Sequence, residues 1–134
     1  MMKTAQILAG LLALALFAFS AVYLFNPAGA ASARGFVPEG AYGLTNVRLL
    51  GATFVTLGIL TALGALKKEY MLVAPAALFF LVSIVIRIVG IIIDGADPTT
   101  IRVMVPAVVL FIVAEVALQV FKRADKSAPK ARTV

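Results

Sequence analysis

Four stretches of the chain are almost unbroken hydrocarbon, and the polar residues gather between them. The runs cover about residues 4–25, 44–66, 71–94 and 99–121. At roughly 1.5 Å per residue, each is long enough to cross a bilayer core of about 30 Å as a helix. The pattern predicts an all-α integral membrane protein: a single domain forming a bundle of four transmembrane helices. The third run, MLVAPAALFFLVSIVIRIVGIIIDGADP, has the most telling polar pattern. Spacings of three and four put Ala76, Phe80, Ser83, Arg87, Gly90 and Asp94 on one side of a helix otherwise built of Ile, Val, Leu and Phe. An arginine inside a span costs about 2.5–3.5 kcal/mol near the bilayer centre, so this face is expected to turn toward a partner or a wet cavity.

The breaks between runs carry their own signals. The first run, from Ile7, ends in Val22-Tyr23-Leu24-Phe25, an expected aromatic anchor at the interface. Ala28, Ala30 and Ala31 would suit a signal peptidase, but the run is long for a secretory signal, so a retained first helix is expected. Asn26–Gly43, rich in Gly, Ala and Pro, is expected to be irregular or to hold a short interfacial helix. Thr45 or Asn46 is a suitable N-cap for the second span. Gly58-x-x-x-Ala62 permits close helix approach within that span. Lys67-Lys68-Glu69 makes a tight polar turn. Gly95 is placed to end the third helix, and Asp97-Pro98 to start the fourth as N-cap and first residue. Pro75 and Pro106 fall early in their helices. The segment from Lys122 to Val134 is basic and aperiodic, and is expected to be a disordered tail.

Composition agrees: 63% of the 134 residues are hydrophobic and 13% charged, too apolar for a soluble domain. With neither Cys nor His in the chain, disulfides, thiol nucleophiles and imidazole chemistry are excluded. No metal site and no cofactor is expected. The net charge of +6 comes mostly from residues flanking the spans, so membrane lipid rather than nucleic acid is the expected contact. Lys3, Lys67, Lys68, Lys122, Arg123, Lys126, Lys130 and Arg132 fall on one side of the four-span layout, and Arg34 and Arg102 on the other. Eight against two puts both termini in the cytoplasm.

Arg48, about one turn inside the second span, and Arg87, about two turns from the end of the third, both lie in the outer half. Two arrangements fit. In one, they line a basic, partly wet pocket for a carboxylate, phosphate or lipid headgroup, with Arg102, Asp94 and Asp97 above them, Asp94 orienting Arg87 and Asn46 nearby. In the other, Arg87 pairs with Asp94 or with carbonyl groups while Arg48 snorkels to the interface. Glu115 lies deeper, roughly 22 Å from the outer end of the fourth span, with Gln119, Lys122 and the Lys67-Lys68 turn as expected neighbours and partners for an ion pair, or else protonated in an apolar setting. No catalytic constellation is present, so an enzyme is not expected.

Asn46-x-Arg48-x-x-Gly51, Arg87-Ile-Val-Gly90-Ile-Ile-Ile-Asp94-Gly95 and Glu115 together resemble a family of small bacterial four-helix membrane proteins known only as a domain of unknown function. A looser likeness is to DoxX-type membrane proteins. The resemblance covers about Leu44 to Phe121 and implies four helices in a bacterial inner membrane, with no activity attached. The first expectation for function is a binding module for an anionic lipid, another anionic amphiphile or a small anion, using Arg48 and Arg87. The second is an accessory or assembly subunit that packs against a copy of itself or a membrane-complex partner. The third is a small transporter coupled to protons through Glu115.

Overall fold

A computed structural model describes residues 2–127. It contains α1 (Met2–Phe25), α2 (Pro27–Ala33), α3 (Gly40–Lys67), α4 (Tyr70–Asp94) and α5 (Pro98–Ser127), with no strand among the described residues. The four long helices are each long and apolar enough to cross a membrane. They pack in a ring, α1 against α3, α3 against α4, α4 against α5, and α5 back against α1. Neighbours are therefore antiparallel, the up-and-down order that short connections favour.

The turns form where the sequence places stop and start residues. Lys68 closes α3 in the left-handed conformation (φ 57°), its amide bonding the carbonyl of Gly64. Glu69 then caps α4 through its side chain, which accepts from the amide of Met71. Gly95, at φ 96°, ends α4 as expected. Asp97 caps α5 by accepting from the Thr99 amide at 2.7 Å, with Pro98 as the first helical residue.

The 26–43 connection takes the second of its two expected forms and holds a short helix, because Asn26 caps α2, accepting from the Gly29 amide at 3.2 Å, and Pro27 opens it. Three local expectations are corrected. Neither Thr45 nor Asn46 caps α3, which begins at Gly40 after Glu39. The Gly43 amide already bonds the Glu39 carbonyl, and the Thr45 hydroxyl donates back to Ala41 within the helix. Tyr23 is no interfacial anchor, since it is buried against Phe54, while Phe25 points outward. Finally, α5 continues through Ser127, with Phe121 and Ala124 buried, where the sequence suggested a disordered tail from Lys122. Residues 128–134 of that tail lie outside the described residues.

Packing is tightest between α1 and α3. A side chain at Gly58 would meet the Phe17 ring at 3.0 Å, and one at Gly51 would meet Tyr23 at 3.1 Å, so both glycines let the backbones approach. Toward the Lys67 end, Ala5, Ala9, Ala65, Val73, Ala117 and Phe121 form one small cluster, while Leu12, Leu16, Leu57, Ala77 and Leu118 belong to a larger one. The packing changes toward the Asp94 end. No residue of α4 beyond Phe80, and none of α5 before Ala114, is buried. At that end the buried residues belong to α1, α2 and α3, among them Tyr23, Ala30, Ala31, Val47 and Phe54, and a cavity parts them from α4 and α5.

Candidate functional site

A cavity of ≈ 350 Å³ occupies the parted half. Its deep walls are aromatic and aliphatic: Phe19 and Tyr23 from α1, Phe54 from α3, Phe79 and Phe80 from α4, and Ala107 and Leu110 from α5. Ring centroids 5.5 Å apart stack Tyr23 on Phe54, and edge contacts link Phe54 to Phe79 (5.9 Å) and Phe79 to Phe80 (5.4 Å). At its upper margin stand Arg34, Arg87 and Arg102. A second, polar chamber of ≈ 440 Å³ adjoins it, lined by Arg34, Gly35, Arg87, Asp97, Thr99 and Thr100 among others. Arg34 and Arg87 line both chambers and so mark the neck between an apolar well and a polar mouth.

Each arginine reaches the neck for a local reason. Arg87 sits on the inward face that Phe80 and Ser83 also occupy, as the helical spacing predicts. Arg34 follows α2, which folds the connection back over the bundle, and its guanidinium lies 5.1 Å from the centre of the Tyr23 ring. Arg102 lies one turn into α5. Four residues on, Pro106 supplies part of the wall and lacks the N–H that would bond the Arg102 carbonyl.

The charge balance at the neck is uneven. Asp97 is the one carboxylate among the residues lining the two chambers, and it is engaged at the start of α5. No ion pair joins the three arginines to a carboxylate among the described residues. The Arg87 Nε is enclosed and has no hydrogen-bond partner there. An enclosed donor without a partner costs about 1–3 kcal/mol, and more when charged. The planar fork of a guanidinium matches a carboxylate or phosphate with two parallel bonds. The arrangement therefore suits a molecule with an anionic head and an apolar body.

The described positions divide the residues singled out from sequence. Arg87 is in the neck, but Arg48 is not beside it. Arg48 donates from Nε to the carbonyl of Leu24 at 3.2 Å, satisfying one of the acceptors left open at the end of α1. Asp94 is exposed and does not pair with Arg87 among the described residues, so it does not orient it. Two helical turns separate them, and the third-span stripe leaves the bundle interior above Arg87. Asn46 is exposed and outside the cavity. Glu115 is also outside it, accepting from Gln119 at 2.8 Å as expected, while Lys122 lies 5.9 Å from the Tyr70 ring instead.

The same helices now stand beside known proteins. The family model for a domain of unknown function (DUF4345) matches residues 4–119. The chain belongs to the DUF4345 family. The match extends the resemblance seen in sequence, because it takes in the first helix, and with it Phe19, Tyr23 and Arg34 as well as Arg87 and Arg102. The DUF4345 match thus spans the whole neck. No curated protein and no solved structure matches the chain. The looser likeness to DoxX-type membrane proteins is not shown by these comparisons.

Arg34 and Tyr23 were not singled out as site residues by sequence, and Arg102 was placed only above the pocket rather than in its lining. One signal was present: Arg34 and Arg102 are the only two flanking cations on the minority side of the charge count.

Proposed function

We propose that this multi-pass membrane protein holds an anionic amphiphile, its head between Arg34 and Arg87 and its apolar part in the aromatic well. We place it in a bacterial inner membrane, with both termini cytoplasmic and the polar mouth on the outer side. The observation that carries the binding proposal is the Arg87 Nε, enclosed at the neck without a partner while two further arginines stand nearby. In a bilayer the tail leaves one hydrocarbon phase for another and gains little, so the head must supply most of the selectivity. The excess of arginine over carboxylate favours an acid or phosphate head over a neutral one. Arg48 holds the end of α1 and has no part in the site.

The test is binding of a fluorescent single-chain phosphate to protein in nanodiscs of zwitterionic lipid. Losing one charged hydrogen-bond partner is worth about 1.5–3 kcal/mol, or roughly 10- to 100-fold in affinity. Arg87→Gln and Arg34→Gln should each weaken binding on that scale, while Arg48→Gln leaves it unchanged. Equal binding by wild type and Arg87→Gln would remove the site.

A further inference from the structure

The well has a depth as well as a chemistry. On α4, seven or eight residues separate Arg87 from the Phe80 and Phe79 positions, a drop of roughly 10–12 Å along the helix. On α5, Arg102 and Leu110 are eight residues apart, again roughly 12 Å. Both walls end at the same level, where Phe54 reaches across from α3 and touches Phe79. Below that level the interior is filled: Leu12, Leu16 and Thr61 are fully buried, and Leu57 and Ala77 close the remaining space. Interiors packed in this way resist insertion, since each added methylene displaces side chains from their rotamers.

We propose that the cavity is a ruler for one alkyl chain, its length set by the floor of Phe54, Phe79 and Phe80. The inference rests on the binding function proposed above and adds the class of ligand: an anion carrying a single, medium-length tail. An extended chain advances about 3.3–3.6 Å per three bonds, so a 12 Å well holds a tail of roughly ten carbons. Volume agrees in order of magnitude, because ≈ 350 Å³, at the ~30 Å³ that one water occupies in the liquid, holds about a dozen heavy atoms. A two-chain lipid would have to leave at least one tail outside. A carboxylate and a phosphate head fit the arginines alike, so the tail, rather than the head, is what the floor discriminates.

The experiment is a competition read by native mass spectrometry. Protein in zwitterionic nanodiscs is offered alkyl phosphates of eight to eighteen carbons at equal mole fraction, and then the corresponding fatty acids. Occupancy should peak near ten carbons in both series and fall toward eighteen. Phe79→Ala should move the peak to longer chains. Ala107→Leu, which narrows the well about halfway down without disturbing the floor, should move it to shorter ones and guards against misfolding of the first variant. Occupancy that is flat with chain length, or that favours two-chain phosphates, would overturn the ruler while leaving the arginine site standing. No occupancy by any anion, with Arg87→Gln indistinguishable from wild type, would remove both.

Discussion

Replacing Arg87 with methionine should make the empty protein more stable, although it destroys the proposed site. The side chain is half-buried, its Nε is enclosed, and no described carboxylate or carbonyl accepts from it. An enclosed polar group without a partner costs about 1–3 kcal/mol; part of the guanidinium borders the polar mouth, which argues for the lower half of that range. Methionine keeps the length of the side chain, has no polar atom to satisfy and adapts to irregular space. The expected gain is therefore about 1–2 kcal/mol in delipidated protein. Asp94→Asn should change little, and the double variant should be additive within about 0.5 kcal/mol, because the two groups are not in contact. With an alkyl phosphate at about 100 times its Kd, wild type should gain ~2.7 kcal/mol and Arg87→Met, binding roughly 10- to 100-fold more weakly, only about 0.4–1.4 kcal/mol, so the order of stability closes or reverses. The assay is reversible unfolding in mixed micelles, with and without the phosphate. A loss of more than about 1 kcal/mol in Arg87→Met that is recovered by adding Asp94→Asn would refute this reasoning. Arg87 would then be half of a structural ion pair.

Other consequences are simpler. Gly58→Leu places a side chain against Phe17 at a 3.0 Å approach and should cost about 1–3 kcal/mol, measured by the same unfolding assay. Glu115→Gln should be well tolerated, since its amide oxygen still accepts from Gln119, whereas Glu115→Lys should reduce the yield of folded protein by setting an ammonium inside a membrane span where the acceptor for Gln119 stood. Because the chain has no cysteine, Ser32→Cys should be labelled by an impermeant reagent on intact spheroplasts and Lys126→Cys should not. The reverse pattern would invert the proposed orientation. Intact-mass measurement should find the first helix retained, since Leu12 and Leu16 are fully buried in the bundle.

Periodicity alone was enough to read the four spans, their antiparallel order, the Gly95 stop and the Asp97-Pro98 start. These depend on local chemistry: unbroken apolar runs, a residue free to take positive φ, and a capping carboxylate beside a proline. The inward turn of Phe80, Ser83 and Arg87 was legible for the same reason. What failed to show was tertiary. Arg48 and Arg87 lie at comparable depth in neighbouring helices, yet one faces the end of α1 and the other the cavity, and depth says nothing about facing. Arg34 lies in the connection between the long helices, nine residues past Phe25 and six before Gly40, and only the folding of α2 over Tyr23 brings it to the neck. Asp94 shares a helical stripe with Arg87, but the stripe stays inside the bundle only while α4 and its neighbours are close, and they part above Phe80.

The most direct test of the account is native mass spectrometry of the protein released from membranes in detergent-free nanodiscs, wild type beside Arg87→Gln. The account predicts one co-purifying anionic amphiphile with a single tail per wild-type chain and a clear loss of that mass in the variant. An empty wild-type protein, or the same adduct retained by Arg87→Gln, would contradict it.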